Sequence, residues 1–252
     1  MSHAHPHCHA HSHHHENAVH HDEVAAFVAA ALDERKRVLE VGCGRGQMAR
    51  VLASRGYAVT ALDRELRELV EAPGVRFVER DFLAYDDAPF DALVFTASLH
   101  HIAPLPLAIE RAASLLRPGG LLVVDEFDVE APDAATLRWY YDVQELLVAA
   151  GCYPAERLDE LHDDVVARWQ QAHHHEPRLH TGAEMRAAIA ERFRIVELTR
   201  REYLARYIVT GLAPDDRSRA IAATVVAMER RLVAQGMVTP VGLRIIAERR
   251  AD

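Results

Sequence analysis

The chain has 252 residues, half of them hydrophobic, with 38 acidic against 29 basic side chains and a formal net charge of −9. That length and apolar fraction supply the core of one enlarged domain and leave little for a second. The acidic balance, without a basic stripe or an aromatic-interleaved basic patch, argues against nucleic acid as a substrate.

No apolar run reaches membrane-spanning length and the N-terminus lacks the charged start and apolar stretch of a signal peptide, so a soluble cytoplasmic protein with no membrane partner is expected. The three cysteines, Cys8, Cys43 and Cys152, are too few and too scattered for a disulfide framework. Residues 1–21 cannot bury a core, yet they hold ten of the seventeen histidines. His3, His5, His7, His9, His11, His13, His14 and His15, with Cys8 among them, bring imidazoles close together on a polar segment, a composition that binds zinc or nickel through adaptable geometry. Interleaving with Ala, Pro, Cys and Ser argues against a simple purification tag. The expectation is a metal-binding tail that takes no part in catalysis, followed by one domain over residues 22–252.

A helix is expected from Asp22 to Leu32, with Val24, Phe27, Val28 and Ala31 on one face, near the mouth of a ligand site. The run from Arg37 to Val41 then reads as a buried strand that passes directly into Gly42, Gly44 and Gly46, with a helix from Gln47 to Arg55 behind them. Closely spaced glycines let the backbone bend through positive φ and press against a ligand, while the helix offers its N-terminal amides. A dinucleotide turn reads G-x-G-x-x-G; here the spacing is G-x-G-x-G, and the acid Glu40 stands just before the first glycine, where it attracts a cationic ligand group. Tyr57 to Asp63 reads as a second strand ending in an acid about 20 residues past the turn, the reach expected for ribose hydroxyls. Val75 to Phe82 reads as a third strand, Phe90 to Thr96 as a fourth leading to His100 and His101, and Leu115 to Asp125 as a helix end, turn and fifth strand. Strands alternating with helices demand a parallel sheet with right-handed crossovers and a ligand site at the carboxyl ends of the strands.

This ordered series resembles the class I, Rossmann-like S-adenosylmethionine-dependent methyltransferases of small-molecule type, closely from Glu34 to Phe127 and loosely beyond. The resemblance implies a doubly wound seven-stranded sheet whose last strand is antiparallel. It also implies S-adenosylmethionine as cofactor, held by Glu40, Gly42, Cys43, Gly44, Gly46, Asp63, Arg64, Asp81, Phe82 and Thr96, with Asp63 on the ribose, Asp81 and Phe82 beside the adenine, and Cys43 present because the turn needs a small residue.

Residues 128–180 interrupt the alternation and read as a helical lid with helices over Asp133 to Ala150 and about Ala155 to Ala172. The core resumes with a capping pattern at Thr181 to Glu184, a helix to Glu191 and a strand from Phe193 to Leu198. A helix from Asp215 to Gln235 precedes a strand from Val241 to Ala247, and either that strand or Tyr203 to Val209 is the last of the sheet. His173, His174, His175, Glu176 and His180 read as an exposed polar linker.

The expected activity is methyl transfer to an O, N or S atom of a small molecule. A sulfonium methyl group is already activated, so alignment, worth about 7–11 kcal/mol, outweighs a general base, worth about 10²–10⁴-fold. His100 and His101 are the base candidates, since imidazole exchanges protons near neutrality; Trp139, Tyr140 and Tyr141 are candidates for the substrate wall. The alternatives are a metal-responsive binding protein on a methyltransferase scaffold, favoured by the tail, and a protein or RNA methyltransferase, disfavoured by the charge.

Overall fold

The structure, a computed structural model, describes residues 18–66, 70–159 and 163–250, with side chains from residue 23 onward. The expectations for His3 to His15 and for Cys8 lie outside the described residues.

Seven strands form one sheet: β1 (Arg37–Val41), β2 (Ala58–Asp63), β3 (Val75–Glu79), β4 (Phe90–Thr96), β5 (Leu116–Phe127), β6 (Phe193–Arg201) and β7 (Gly242–Arg249), in the order β3-β2-β1-β4-β5-β7-β6. The pairings from β3 through β5 are parallel, and β7 lies antiparallel between β5 and β6. This is the expected Rossmann-like arrangement. The order reverses between β1 and β4, which opens a crevice beyond their carboxyl ends.

Eight helices stand among the described residues: α1 (Ala18–Leu32), α2 (Gln47–Ser54), α3 (Leu105–Leu115), α4 (Ala134–Ala149), α5 (Val165–Ala172), α6 (Gly182–Arg192), α7 (Leu204–Val209) and α8 (Asp216–Ala234). Strand alternation sorts the core into two layers. Leu39, Leu62, Phe95, Leu122 and Ile245 meet Ile109 of α3 and Ile189 of α6 on one face. Val38, Val59, Val94 and Val123 meet Val28 of α1 and Leu52 of α2 on the other.

A third apolar cluster sits beyond the carboxyl end of β5. Phe127 is surrounded there by Leu137 and Tyr140 of α4, Trp169 of α5, Ile208 of α7 and Val225 of α8. The insertion after β5 and the one between β6 and β7 therefore pack as a single helical cap.

Several boundaries differ from the sequence reading. α1 begins at Ala18 rather than Asp22. β3 ends at Glu79, because the Asp81 carboxylate accepts from Leu83 N (2.8 Å) and turns the chain into a 3-10 turn, Phe82–Ala84. Ala155–Arg157 is likewise only a 3-10 turn, and the helix starts at α5, where Asp164 accepts from Val166 N at 2.8 Å and supplies a new N-cap. Tyr203 to Val209 is not a strand: Leu204–Val209 is α7, and β7 is the final strand.

The capping box at α6 is present as expected: Glu184 N donates to Thr181 Oγ1 at 3.2 Å, and Thr181 N donates to Glu184 Oε2 at 2.9 Å. The Arg178 hydrogen bond, and then the Thr181 amide, hold the Glu184 carboxyl down at about 2. A depressed folded pKa makes this stabilisation complete above the ordinary value of 4.5 and lost as pH falls toward about 2. Thr181→Ala should cost about 0.5–2 kcal/mol, read as a fall in melting temperature of about 2–4 °C per kcal/mol.

Candidate active site

The glycine turn is fixed by what its glycines lack. Gly42, at φ 74°, would place a Cβ 2.4 Å from Ser98 Cβ, and Gly46, at φ 71°, would place one 2.4 Å from the Phe77 ring. Gly42 N and Cys43 N both donate to Leu62 O (2.8 and 3.1 Å), and Ser98 Oγ donates to Val41 O at 2.6 Å, so β1, β2 and the β4 loop close on one another. Gly44, at φ 52°, is different: no atom lies within 4 Å of where its Cβ would be. The turn thus offers a backbone surface open to a ligand.

Asp63 accepts from Gly44 N at 2.8 Å and from Glu65 N at 3.2 Å, which sets its carboxylate beside that surface. Glu40 is 1% exposed at the end of β1. Cys43 is buried, and burial, followed by the nearby Glu40 and Asp63 charges, pushes its thiol well above the ordinary range. It is therefore held as an unreactive thiol, in keeping with a position that calls for a small residue. Asp81 lies at the strand edge with Arg64 (3.3 Å). Phe82 turns away into the core, 4% exposed and edge-on to Phe95. Thr96 ends β4 in register with Asp125 of β5.

Across the crevice, His100 is 4% exposed and its Nδ1 lies 2.5 Å from Glu126 Oε2. Glu126, itself 1% exposed, also accepts from Ser98 N (2.7 Å) and Leu99 N (2.6 Å). With two amides donating to one oxygen, the carboxylate is an acceptor; Nδ1 is then the donor, and Nε2 is left as the basic nitrogen. Just before this loop, Ala97 holds φ at 52°, a left-handed conformation of the kind concentrated at functional sites. Glu126 was not picked out from the sequence. Its signal is the pair Asp125-Glu126 inside an otherwise apolar strand, where a buried acid needs a partner.

His100 and His101 border a cavity of about 250 Å³ roofed by the helical cap. Of the three aromatic candidates on α4, only Tyr140 lines it. Tyr141 donates to Asp159 (3.0 Å), and Trp139 donates to Met228 Sδ (3.3 Å) on α8. The sequence reading overlooked Tyr203 and Tyr207, which reach the cavity from α7. That helix is anchored by Glu229 of α8, whose carboxylate accepts from Tyr203 N, Leu204 N and Ala205 N at 2.7–2.9 Å. Burial raises its pKa, against the lowering effect of those amides.

The second histidine group is not the exposed linker that its polarity suggested. His173 stacks on Trp169 at 3.7 Å, His175 packs edge-on against His101 at 5.5 Å, and His180 N donates to His100 O at 3.0 Å. Only His174 and Glu176 of the group stay exposed. Among the described residues, no group of His, Cys, Asp and Glu is arranged to hold a metal ion.

A methyltransferase-domain family model matches residues 12–165, more than half of the chain. The chain belongs to the methyltransferase domain family. An uncharacterized methyltransferase of Mycobacterium tuberculosis is 39% identical over 99 residues, covering 36% of this chain and 50% of that protein. A ubiquinone biosynthesis O-methyltransferase of Xylella fastidiosa is 36% identical over 100 residues, covering 35% and 40%. The chain thus spans half or less of the length of these curated relatives. The crystal structure of 1,6-didemethyltoxoflavin-N1-methyltransferase from Burkholderia thailandensis, with bound 1,6-didemethyltoxoflavin and S-adenosylhomocysteine, is similar in fold: TM-score 0.51 at 20% identity, covering 92% of this methyltransferase-domain chain and 78% of that one. No helix among the described residues is long and apolar enough to cross a membrane.

Proposed function

We propose that this methyltransferase-domain protein transfers a methyl group from S-adenosylmethionine to an O, N or S atom of a small molecule held in the cavity under the helical cap. The observation that carries this reading is the juxtaposition at the sheet's switch point: the open Gly44 surface and Asp63 on one side, the His100–Glu126 pair and an aromatic-walled cavity on the other. The names of the relatives, one an O-methyltransferase and one an N-methyltransferase of small molecules, support it.

The residues present fit the cofactor. Glu40 would attract its cationic end, the positive-φ turn would lie against it, and Asp63 would receive ribose hydroxyls. When bound, S-adenosylmethionine supplies a methyl group already activated on a sulfonium. The chain's own work is then to align the acceptor and move one proton. His100 Nε2 takes the proton of the acceptor atom as that atom's lone pair bonds to carbon, while Glu126 keeps Nδ1 protonated and balances the imidazolium that forms. The described residues of 128–180, with α7 and α8, form a cover over the acceptor. The histidine tail, in this reading, binds zinc or nickel separately from methyl transfer.

Calorimetry with S-adenosylmethionine and S-adenosylhomocysteine tests the first step. Both should bind at micromolar strength, and Asp63→Ala should weaken binding by about 1.5–3 kcal/mol, through the lost ribose and Gly44 hydrogen bonds. No heat from either ligand with folded protein would remove the methyl-donor reading.

A further inference from the structure

The cavity's walls, polar groups and charge together restrict what it accepts. At about 250 Å³ it lies below the roughly 300–1,000 Å³ typical of drug-sized ligands, which suits a single ring. Phe127 is stacked with Tyr203 (5.3 Å, 19°) and edge-on to Tyr207 (5.9 Å, 84°), while Tyr140 stands edge-on to Trp169 (5.9 Å, 86°). Such a frame of ring faces and edges favours a flat occupant.

The hydroxyls sharpen this. Tyr141 spends its hydroxyl on Asp159, and Arg206 donates to the Tyr203 hydroxyl at 3.2 Å. The hydroxyls of Tyr140 and Tyr207 make no hydrogen bond to any described residue, although Tyr140 is only 6% exposed and both line the cavity. Each hydroxyl is open to the cavity with its proton uncommitted, so an oxygen brought in by a ligand is its natural acceptor. Burial pushes both phenols well above their ordinary range, which keeps them donors.

Charge selects neither sign, because the acids Glu156 and Asp159 line the same space as Arg157 and Arg206. Aromatic walls often serve cations. Here the Arg206 guanidinium already lies over the Tyr203 ring, 5.4 Å from its centre, where it would repel an ammonium.

We propose that the acceptor is a neutral, planar, single-ring molecule whose nucleophile is an acidic hydroxyl, a phenol or enol, presented to His100, with a second oxygen held by the Tyr140 and Tyr207 hydroxyls. This rests on the methyl-transfer reading above and narrows it to oxygen. The reacting hydroxyl gives its proton to His100 Nε2 and its lone pair to the methyl carbon, and the carbon–sulfur pair returns to sulfur.

The test uses catechol as probe, with cis-cyclohexane-1,2-diol carrying the same two oxygens without the plane or the acidity, and benzylammonium carrying the ring with a positive charge. Binding is read from tryptophan fluorescence, Trp169 packing against the wall residues Tyr140 and His173, and from calorimetry, each with and without S-adenosylhomocysteine. Catechol should bind at least about tenfold more tightly than either comparison ligand. The Tyr140→Phe, Tyr207→Phe double variant should weaken it roughly tenfold, the sum of two modest hydrogen bonds. That variant removes only two oxygens without partners, so melting temperature and S-adenosylhomocysteine affinity should not change. Benzylammonium or the diol binding as tightly as catechol, no catechol binding, or indifference to the double variant would each overturn the proposal. Failure of S-adenosylhomocysteine to bind while the catechol ranking holds would instead remove the methyl-donor reading, so the two failures are distinguishable.

Discussion

A Glu126→Gln variant should fold, bind S-adenosylhomocysteine as the parent does, and transfer methyl groups about 10²–10⁴-fold more slowly, the contribution of a general base. The reason lies in which nitrogen of His100 carries the proton. The glutamine oxygen still accepts from Ser98 N and Leu99 N, so the loop after β4 keeps its shape, but the amide now donates to His100 Nδ1. The proton is forced onto Nε2, and the nitrogen facing the acceptor is no longer a base. Glu126→Ala should behave differently, because it strands two buried amides at about 1–3 kcal/mol each and lowers the melting temperature as well. Single-turnover rates across a pH series, beside thermal unfolding of both variants, separate the two effects. An unchanged rate in the glutamine variant would exclude His100 as the proton acceptor.

The glycine turn yields the second large effect, through a contrast between neighbours. Gly42→Ala forces a side chain into the left-handed region at about 1–2 kcal/mol and drives its Cβ into Ser98, an overpacking worth about 1–3 kcal/mol more. Gly44→Ala meets the first cost only, since the space before it is open. Yet that space is where the cofactor would rest. Gly44→Ala should thus keep most of the melting temperature and lose at least about tenfold in cofactor affinity, or some 1.4 kcal/mol, whereas Gly42→Ala should lose stability and affinity together. Cofactor titration and thermal unfolding of the pair check this, and parent-like affinity in Gly44→Ala would mean that the ligand does not approach the turn there.

Local chemistry made the sheet readable. An apolar strand followed by positive-φ glycines, an acid closing β2, and a capping box at Thr181 each carry their structural meaning within a few residues, and β1, β2 and α6 form where those signals stand. What stayed hidden depends on long-range partners. Glu126 looks like a misplaced charge in a strand until His100, 26 residues away, is folded against it. Tyr203 to Val209 has the residue types of a strand, and becomes a helix because Glu229 arrives from α8 to accept its first amides. His173 and His175 read as solvated linker, because nothing nearby announces that Trp169 and His101 will pack against them.

The shared family segment ends at residue 165, and the cavity-lining His173, Tyr203 and Tyr207 all lie past that point. The glycine turn, Asp63, His100 and Glu126 stand within the matched segment, while His173, Tyr203 and Tyr207 come to the chamber from beyond it, on two excursions that pack against each other around Phe127. Such an arrangement lends itself to grafting. Exchanging α5 and α7 together between relatives should redirect what is methylated without disturbing how the methyl group is delivered, whereas exchanging either one alone would leave half a chamber facing the wrong wall.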